Sequence, residues 1–346
     1  MRRFMLFFCC ILLVFRVTAG AQAAAPKPLA SFAQEELKDF TALDPIDVHT
    51  HVYQTDPVFL AMLRKLHVHL LDVVVADLND NASHRTFEPL KKAAWQFVAA
   101  SQGHASLSTT VDPFTWDDPG FPRSAIQSIN QDFTRGAVAA TIWANTGMSM
   151  KDASGTPALP DDRKLEPFYK DLVSHHKTLM AHIGVADEAW VPNRARPPAV
   201  PAVLQARDQI VERNPALRVV GAHFGSLKEN IGDLAARLRK YPNLAVDTSS
   251  RMDYLMAQPS DQVRAFFLEF QNRILYGTDS AFRQKDIASA SIPKFENRYA
   301  VDWRYLAGHG TFQYDGREVQ SLNLPQPVLR KLYHGNAVRW IPGIGQ

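Results

Sequence analysis

The sequence predicts an α/β protein with the fold of a TIM (β/α)8 barrel, in a single domain that follows an N-terminal signal peptide. Three observations predict this fold. Eight short apolar segments occur, helix-like segments separate them, and a chain of 346 residues is long enough for one large barrel. Alternation of this kind is typical of a parallel sheet, and eight strands are the number that closes a barrel. The apolar segments are 46–51, 70–76, 106–111, 137–143, 178–183, 218–223, 244–248 and 274–278.

Helix-like segments lie between the apolar ones. A capping aspartate followed by a proline predicts a helix over 56–66, and leucines that share one face predict another over 227–241. A doubly wound open sheet is the alternative, but no glycine-rich dinucleotide-binding turn follows the first strand. No internal repeat or linker divides the chain, so residues 45–346 are predicted to form one domain.

The first residues predict a secretory signal peptide. Two arginines precede an apolar run over 4–15 and a stretch of small residues over 18–25. This order is typical of an export signal. We predict cleavage after Ala23, which leaves 24–44 as an N-terminal extension and places the mature protein in the periplasm or outside the cell. An uncleaved membrane anchor is the alternative, although the apolar run is shorter than the roughly 20 residues that a bilayer needs.

Removal of residues 1–23 leaves a chain of zero formal charge, because this segment contains three arginines and no acidic residue. Such a balance gives no electrostatic reason to expect nucleic acid or an anionic membrane as a partner, and no stable membrane anchor is expected. Both cysteines, Cys9 and Cys10, lie in the same segment. Any metal must therefore be held by histidine and carboxylate. A small molecule is the expected partner, and a homo-oligomer is compatible with the sequence.

Three connections are longer than the fold requires: 144–165 after strand 4, 184–201 after strand 5 and 280–325 after strand 8. All three are expected at the carboxyl ends of the strands, where barrel enzymes build their sites. The last connection is rich in aromatic residues and is predicted to form a lid. These aromatic residues are Trp303, Tyr305, Phe312 and Tyr314.

Two histidines lie two residues apart in the first strand. Side chains alternate along a strand, so His49 and His51 are predicted to share one face with Asp47. Imidazoles at this spacing can chelate one ion, and the pair lies near the end of the strand, before the polar Tyr53. For this pattern alone, two packed or exposed histidines are the alternative.

Three more residues occupy the same kind of position. His182 and His223 each end an apolar strand, and Asp279 ends the eighth. Taken alone, either histidine could instead be a core residue bonded to a backbone carbonyl. Because both end a strand, as His49 and His51 do, we predict that all four belong to one site. A carboxylate buried at a strand end without a cation or donors is costly, and a metal removes that cost.

Four residues are weaker candidates for substrate contacts: Tyr53, Trp143, Arg251 and His309. Arg251 lies just past the seventh strand, where it can meet an anionic group or remain a solvated loop arginine. His309 lies within the predicted lid. The remaining histidines fall on helices or at strand starts, and we interpret them as structural or solvated.

Five motifs follow one another along the chain: Asp47-Val48-His49-Thr50-His51, Ala181-His182, Gly221-Ala222-His223-Phe224-Gly225-Ser226, Tyr276-Gly277-Thr278-Asp279 and Gly335-Asn336-Ala337. In this order and placement they resemble the amidohydrolase superfamily, specifically the branch called amidohydrolase 2 or amidohydrolase-related. The resemblance spans nearly the whole mature chain. It implies that the metal ligands are His49, His51, His182 and Asp279, and that His223 is a second-sphere catalytic histidine. Asp279 would also accept the proton of the attacking water.

One departure from the family pattern bears on the number of metals. Related sequences often carry a lysine at the end of the fourth strand, which can be carboxylated to bridge two ions. Here that strand contains Thr141, which cannot be carboxylated, so we expect one divalent metal. Imidazole and carboxylate ligands suit zinc first, and also manganese, iron or cobalt.

The sequence therefore predicts an exported metal-dependent hydrolase, in which metal-activated water attacks the carbonyl of an ester, lactone or amide. The same branch also contains non-oxidative decarboxylases of aromatic and unsaturated acids, so a lyase that uses the same site is the alternative. A barrel adapted to binding alone is a third interpretation, but it requires a broken ligand set, and this set is intact.

Overall fold

The computed structural model describes residues 31–75, 83–143, 146, 150–184, 200–227 and 231–346. The predicted signal peptide and most of the predicted connection 184–201 lie outside the described residues. Within those residues, none of the helices combines the length and the apolar character that crossing a membrane requires.

The described residues contain one nine-stranded parallel sheet and one antiparallel hairpin. In the large sheet the strands follow the order β8-β7-β6-β5-β4-β3-β2-β1-β9, so β1 to β8 lie side by side in chain order and β9 lies on the other side of β1. Its strands are β1 Ile46–Val52, β2 His69–Val73, β3 Ala105–Thr110, β4 Ala139–Ile142, β5 Thr178–Ala181, β6 Arg218–Gly221, β7 Leu244–Asp247, β8 Ile274–Leu275 and β9 Ser280–Phe282. The hairpin pairs β10 Thr311–Tyr314 with β11 Arg317–Gln320.

Of the predicted eighth strand, 274–278, only Ile274–Leu275 forms a strand, and a further short strand, Ser280–Phe282, follows it. β8 pairs with β7, and β9 pairs with β1 in the register Thr50 to Ser280. Between them, the Tyr276 carbonyl accepts from the Val48 amide at 2.9 Å, and the Asp279 amide donates to the His49 carbonyl at 2.8 Å. One segment of chain thus contacts both the seventh and the first strand, an arrangement consistent with a TIM barrel.

Helices separate the parallel strands, as predicted. The Asp56 carboxylate caps the helix Pro57–Leu66 by accepting from the Val58 and Phe59 amides. The other helices of the described residues are Gln34–Thr41, Ser83–Ala100, Phe121–Arg135, Glu166–Ser174, Val200–Arg213, Ile231–Lys240, Met252–Leu255, Ser260–Glu269, Ala288–Ala307, Gln326–Arg330 and Asn336–Trp340; Pro113–Thr115 and Arg163–Leu165 are short 3-10 turns, and Lys331–Gly335 is one π turn.

The prediction of a loop over 280–325 is wrong. This segment contains β9, the 20-residue helix Ala288–Ala307 and the hairpin. Trp303 and Tyr305 lie within the helix and are buried, with 6% and 1% of their surface exposed. Their rings pack in the main core, so these two residues cannot form a lid; Phe312 and Tyr314 of the hairpin are partly buried against the same core.

Among the described residues, two of the three clusters of buried apolar side chains lie on opposite faces of the sheet. One cluster collects side chains from β1, β2 and β4–β8 together with Trp340, Ile341 and Ile344 near the C-terminus. The larger cluster lies between the outer face and the helices, and it contains Val52, Leu70 and Leu179. This division matches the inner and outer layers of a barrel, and the inner layer supports the site from below.

An irregularity in β1 changes which way its side chains point. Ile46 pairs with His69 and Asp47 with Leu70, but Thr50 pairs with Asp72, so β1 has one residue more than β2 over this interval. A β-bulge of this kind interrupts the alternation of side chains. The side chain of Asp47 therefore does not lie on the same face of β1 as those of His49 and His51. The alternation expected from the sequence had placed all three on one face.

The buried His69, at the start of β2, is expected to make the folded protein less stable in acid. Burial lowers its pKa to about 4, while its ring nitrogens contact the Gly103 carbonyl and the Ser106 hydroxyl. Because the unfolded chain then binds a proton more readily than the folded one, stability falls as the pH drops from about 6.5 towards 4. The expected loss from this group is about 2 kcal/mol between pH 7 and pH 5.

Urea unfolding at the two pH values measures this loss. His69→Gln, which cannot titrate, is expected to reduce the difference between pH 7 and pH 5, whereas His309→Gln at an exposed histidine should leave it unchanged. An equal difference in wild type and His69→Gln would contradict the assignment.

Candidate metal and catalytic site

Three of the four predicted metal-ligating residues converge at the carboxyl ends of the strands, and His182 lies outside this group. Ligand atoms of His49, His51 and Asp279 all lie within 4.8 Å of one another. The His51 Nε2 atom is 3.1 Å from Asp279 Oδ1, and the His49 Nε2 atom is 3.6 Å from the same oxygen. Two imidazoles and one carboxylate oxygen therefore converge on one small volume, as a divalent cation requires.

The two histidines of β1 are held in the tautomer that a metal ligand needs. The Nδ1 atom of His51 lies 2.8 Å from the Val73 carbonyl, which only accepts, so this nitrogen carries the proton. In His49 the Nδ1 atom lies 3.0 Å from the Asp247 carboxylate. Both Nε2 atoms therefore face Asp279, on the side where a metal ion would take their lone pairs, as in known carboxylate–histidine–metal arrangements.

His182 and His223 form a pair beside this group. The Nδ1 atom of His223 lies 3.1 Å from the Ser249 carbonyl and is therefore protonated. Its Nε2 atom accepts from His182 Nδ1 at 3.2 Å, which leaves the Nε2 atom of His182 without a proton. Among the described residues this buried Nε2 has no hydrogen-bond partner. Such an orphan costs about 1–3 kcal/mol, and a cation at this position removes the cost.

Asp247, at the end of β7, joins both pairs and was missed in the sequence. It is fully buried; one oxygen faces the His49 ring, and the other accepts from the His223 amide at 2.9 Å and from the Ser249 hydroxyl at 2.5 Å. Its position at the end of an apolar strand is the signal that identified Asp279. No comparable signal marked Ser249, whose hydroxyl lies 3.0 Å from Nδ1 of both His49 and His223.

Asp279 and Asp47 are fixed by different neighbours. Ser250 donates to Asp279 Oδ2 at 2.6 Å, which leaves Oδ1 facing the histidines. Asp47 accepts from the amides of His49 and Thr278 and from the Thr278 hydroxyl. The Asp47 carboxylate thus ties β1 to the segment that carries Asp279. Gly277 completes this contact, because a Cβ there would lie 3.1 Å from His49 Cβ.

Backbone in the left-handed region occurs at these strand ends, as it does at several other positions of the described residues. Asp279 and Ser250 have φ values of 64° and 52°, in the left-handed region that non-glycine residues rarely adopt. The chain after β6 makes a complete left-handed turn, in which His223, Phe224 and Ser226 have φ values of 55°, 57° and 59°. Each such residue costs on the order of 1–2 kcal/mol, so the surrounding contacts must hold the turn in place.

The charges of the site favour a bound cation. Burial alone lowers the pKa of His49, but the charges of Asp247 and Asp279 raise it to about 9. Against the effect of burial, a hydrogen bond from His51 and the charges of the histidines hold the pKa of Asp279 well below its usual value. The same carboxylates that attract a proton to His49 would attract a metal ion to the same place.

The pKa values of His182 and His223 are lowered, whereas that of His49 is raised. Burial, followed by the charge of His223, lowers the pKa of His182 far below its usual value. Burial and the charge of His49 lower the pKa of His223 to about 4. Both rings are therefore neutral at neutral pH, the state in which imidazole binds a metal or accepts a proton.

The four candidate substrate residues differ in their surroundings. Trp143 is half-buried and meets the His182 ring edge to face, with centroids 5.8 Å apart. Tyr53 is buried, and its hydroxyl donates to the Val73 carbonyl at 3.2 Å. Arg251 is 3% exposed, and its charge contributes to the lowered pKa values of His182 and His223. His309 is exposed, and no contact among the described residues joins it to the histidines.

Thr141 lies in β4, where the bridging lysine of two-metal relatives was considered. Its side chain is buried and shares a hydrogen bond of 2.6 Å with the Ser108 hydroxyl. A threonine cannot be carboxylated, so β4 offers no carboxylated lysine to bridge two ions.

The chain matches a known protein family. The model of a family described as amidohydrolase matches residues 46–342. No curated protein sequence matches the chain significantly.

Several crystal structures share the fold. A 2,6-dihydroxybenzoate decarboxylase from Rhizobium is 12% identical, covers 86% of this chain and 98% of its own, and superposes with a TM-score of 0.51. The 5-carboxyvanillate decarboxylase of Sphingomonas paucimobilis is 14% identical, covers 86% of this chain and 99% of its own, and has a TM-score of 0.52. The dihydroorotase of Campylobacter jejuni is 13% identical, covers 86% of this chain and 82% of its own, and has a TM-score of 0.50. At these identities the likeness is one of fold.

Proposed function

The chain belongs to the amidohydrolase family, and from that premise we propose that it is an exported metal-dependent hydrolase of small molecules that carry an ester, lactone or amide. The observation that carries the proposal is the convergence of His49, His51 and Asp279, with their ligand atoms within 4.8 Å of one another. The neutral histidine pair beside them adds a group able to move a proton.

The donor set fits one divalent ion. We assign the ligands as the Nε2 atoms of His49, His51 and His182 and the Oδ1 atom of Asp279. Three imidazoles and one carboxylate suit zinc, with manganese, iron and cobalt as alternatives. A bound ion would supply Lewis-acid chemistry, which polarises a carbonyl and acidifies water.

The protein's own residues would manage the proton. Asp279 is kept ionised, and Ser250 holds its Oδ2, so the carboxylate is placed to accept a proton from the attacking water. The proton taken up by Asp279 would pass to the Nε2 atom of His223, which is neutral at neutral pH, and from there to the leaving group; for this step His223 Nε2 must release its hydrogen bond with His182 Nδ1. The Ser249 carbonyl fixes the tautomer that this role needs.

Arg251 favours a substrate that carries a carboxylate. Its guanidinium is buried close enough to His182 and His223 to lower their pKa values, and a buried positive charge attracts an anion. The same observation favours a second candidate function, the non-oxidative decarboxylation of an aromatic or unsaturated acid, because such a substrate would present its carboxylate to this charge.

One experiment separates the two reactions. The zinc-loaded mature protein is incubated with carboxylate-bearing esters, lactones and amides, and with aromatic acids under CO2 trapping. Hydrolysis without CO2 release is expected. Stoichiometric CO2 from an aromatic acid, with no hydrolysis in the panel, would replace the hydrolase by the decarboxylase.

Export is tested separately. Expression of the full chain in a bacterium followed by N-terminal sequencing of the periplasmic protein is expected to give a chain that begins after Ala23. A full-length protein retained in the cell would contradict export without affecting the assigned reaction.

A further inference from the structure

We propose that Arg207 is a positioning residue that holds the left-handed turn over 222–226 and thereby the ring of His223. The proposal rests on the proposed function only for the catalytic role of His223. Arg207 lies on the helix Val200–Arg213, outside the group of candidate metal ligands, and is 1% exposed. A buried guanidinium needs a specific reason for its place, because removing its charge from water is costly.

The guanidinium contacts the turn directly. Its Nη1 donates to the Gly225 carbonyl at 2.5 Å, two residues beyond His223. Its Nε and Nη2 donate to Asp208 Oδ1, and Asp208 Oδ2 accepts from Arg237 Nε at 2.8 Å. The ion pair with Asp208 therefore fixes the guanidinium of Arg207, while its Nη1 atom binds the backbone of the turn.

Close packing leaves the turn few other positions. A Cβ on Gly225 would lie 3.2 Å from Arg207 Nη1, and a Cβ on Gly221 would lie 3.1 Å from the Gly225 Cα. On the other side, a Cβ on Gly184 would lie 2.5 Å from the Ser226 Cβ. Glycine at these three positions lets β6, the chain after β5 and the guanidinium all approach the turn.

The turn needs such support because three of its residues other than glycine have positive φ. Within it, the Ser226 amide donates to the His223 carbonyl, but this local bond alone does not oppose the strain. Without the charge-assisted bond to Gly225, we expect the turn to relax towards ordinary backbone angles. His223 would then lose its contacts with Ser249 and His182.

Histidine-selective 15N NMR of the zinc-loaded chain tests this directly. The ring Nδ1–H signal of His223, assigned with His223→Gln, is expected to disappear in Arg207→Ala, while the His51 ring signal persists as an internal reference. Addition of guanidinium chloride at a concentration that does not unfold the protein is expected to restore the signal. In Arg213→Ala, which alters a largely exposed arginine of the same helix, both signals should match wild type.

Turnover gives a second readout. With the substrate found in the screen, we expect kcat of Arg207→Ala to fall about 10- to 100-fold with KM little changed, as for a catalytic group displaced by about 1 Å. The NMR result does not depend on the reaction, so failure of the hydrolase assignment leaves it intact.

A folded Arg207→Ala protein with an unchanged His223 signal would overturn the proposal. So would loss of the His51 and His223 signals together without recovery in guanidinium, which indicates a general structural role. If Arg207→Ala does not fold, Asp208→Asn serves the same purpose, because it keeps Arg207 but weakens the ion pair that orients it. Selective loss of the His223 signal is again expected, and an unchanged signal contradicts the proposal.

Discussion

Asp279→Asn is expected to lose both the bound metal and the activity. The amide keeps the size of the side chain and tolerates the φ of 64° at this position, so backbone strain is not added. It removes the negative charge whose Oδ1 lies 3.1 Å from His51 Nε2 and 3.6 Å from His49 Nε2. Loss of the carboxylate leaves only imidazoles as ligands and removes the group that we propose accepts the proton of the attacking water.

Metal content after gel filtration, followed by turnover with added zinc, measures this effect. Asp315→Asn is a matched control, because Asp315 also has a positive φ, 47°, but is exposed in the hairpin turn. We expect the control to retain wild-type metal and activity. If Asp279→Asn kept the metal with full turnover, Asp279 would be neither ligand nor base.

Asp247→Asn is expected to weaken metal binding about 10- to 100-fold, as loss of the partner behind a ligating histidine does. The Asp247 carboxylate accepts on both oxygens, from the His49 ring on one side and from the His223 amide and Ser249 on the other. An amide has one accepting oxygen, so its NH2 must face a donor on one side. Two buried donors that face each other without an acceptor cost about 1–3 kcal/mol.

Chelator competition gives the metal affinity, and turnover at saturating zinc isolates the effect on His223. We expect both to fall in Asp247→Asn. Asp261→Asn, at an exposed position in the first turn of a helix, should change neither. Wild-type affinity together with wild-type turnover in Asp247→Asn would show that Asp247 does not orient His49.

Most of the site was predictable because its residues end apolar strands. His49, His51, His182, His223 and Asp279 share that signal; the structure groups His49, His51 and Asp279 and pairs His182 with His223. Asp247 carries the same signal, directly after Leu244-Ala245-Val246, and could have been found by the same argument.

Other features depend on contacts that the sequence does not encode locally. The bulge in β1 is set by the register with β2, so simple alternation misplaced Asp47. The left-handed turn at His223 is imposed by Arg207 and by close packing, against the intrinsic preference of His223 and Phe224.

The error over 280–325 has a local cause. Phe295, Tyr299 and Trp303 recur every four residues, which indicates the buried face of a helix, but Pro293 within the same segment argues against one. The structure places the proline near the start of the helix Ala288–Ala307, where it interrupts only the first turns. The spacing of the aromatic residues was therefore the stronger signal.

We propose that one divalent metal binds to His49, His51, His182 and Asp279. Elemental analysis of the zinc-reconstituted mature protein after gel filtration measures its stoichiometry, with His51→Ala and His182→Ala analysed in parallel. We expect one zinc ion per wild-type chain and much less in both variants. Two ions per wild-type chain, none, or an undiminished content in the variants would contradict it.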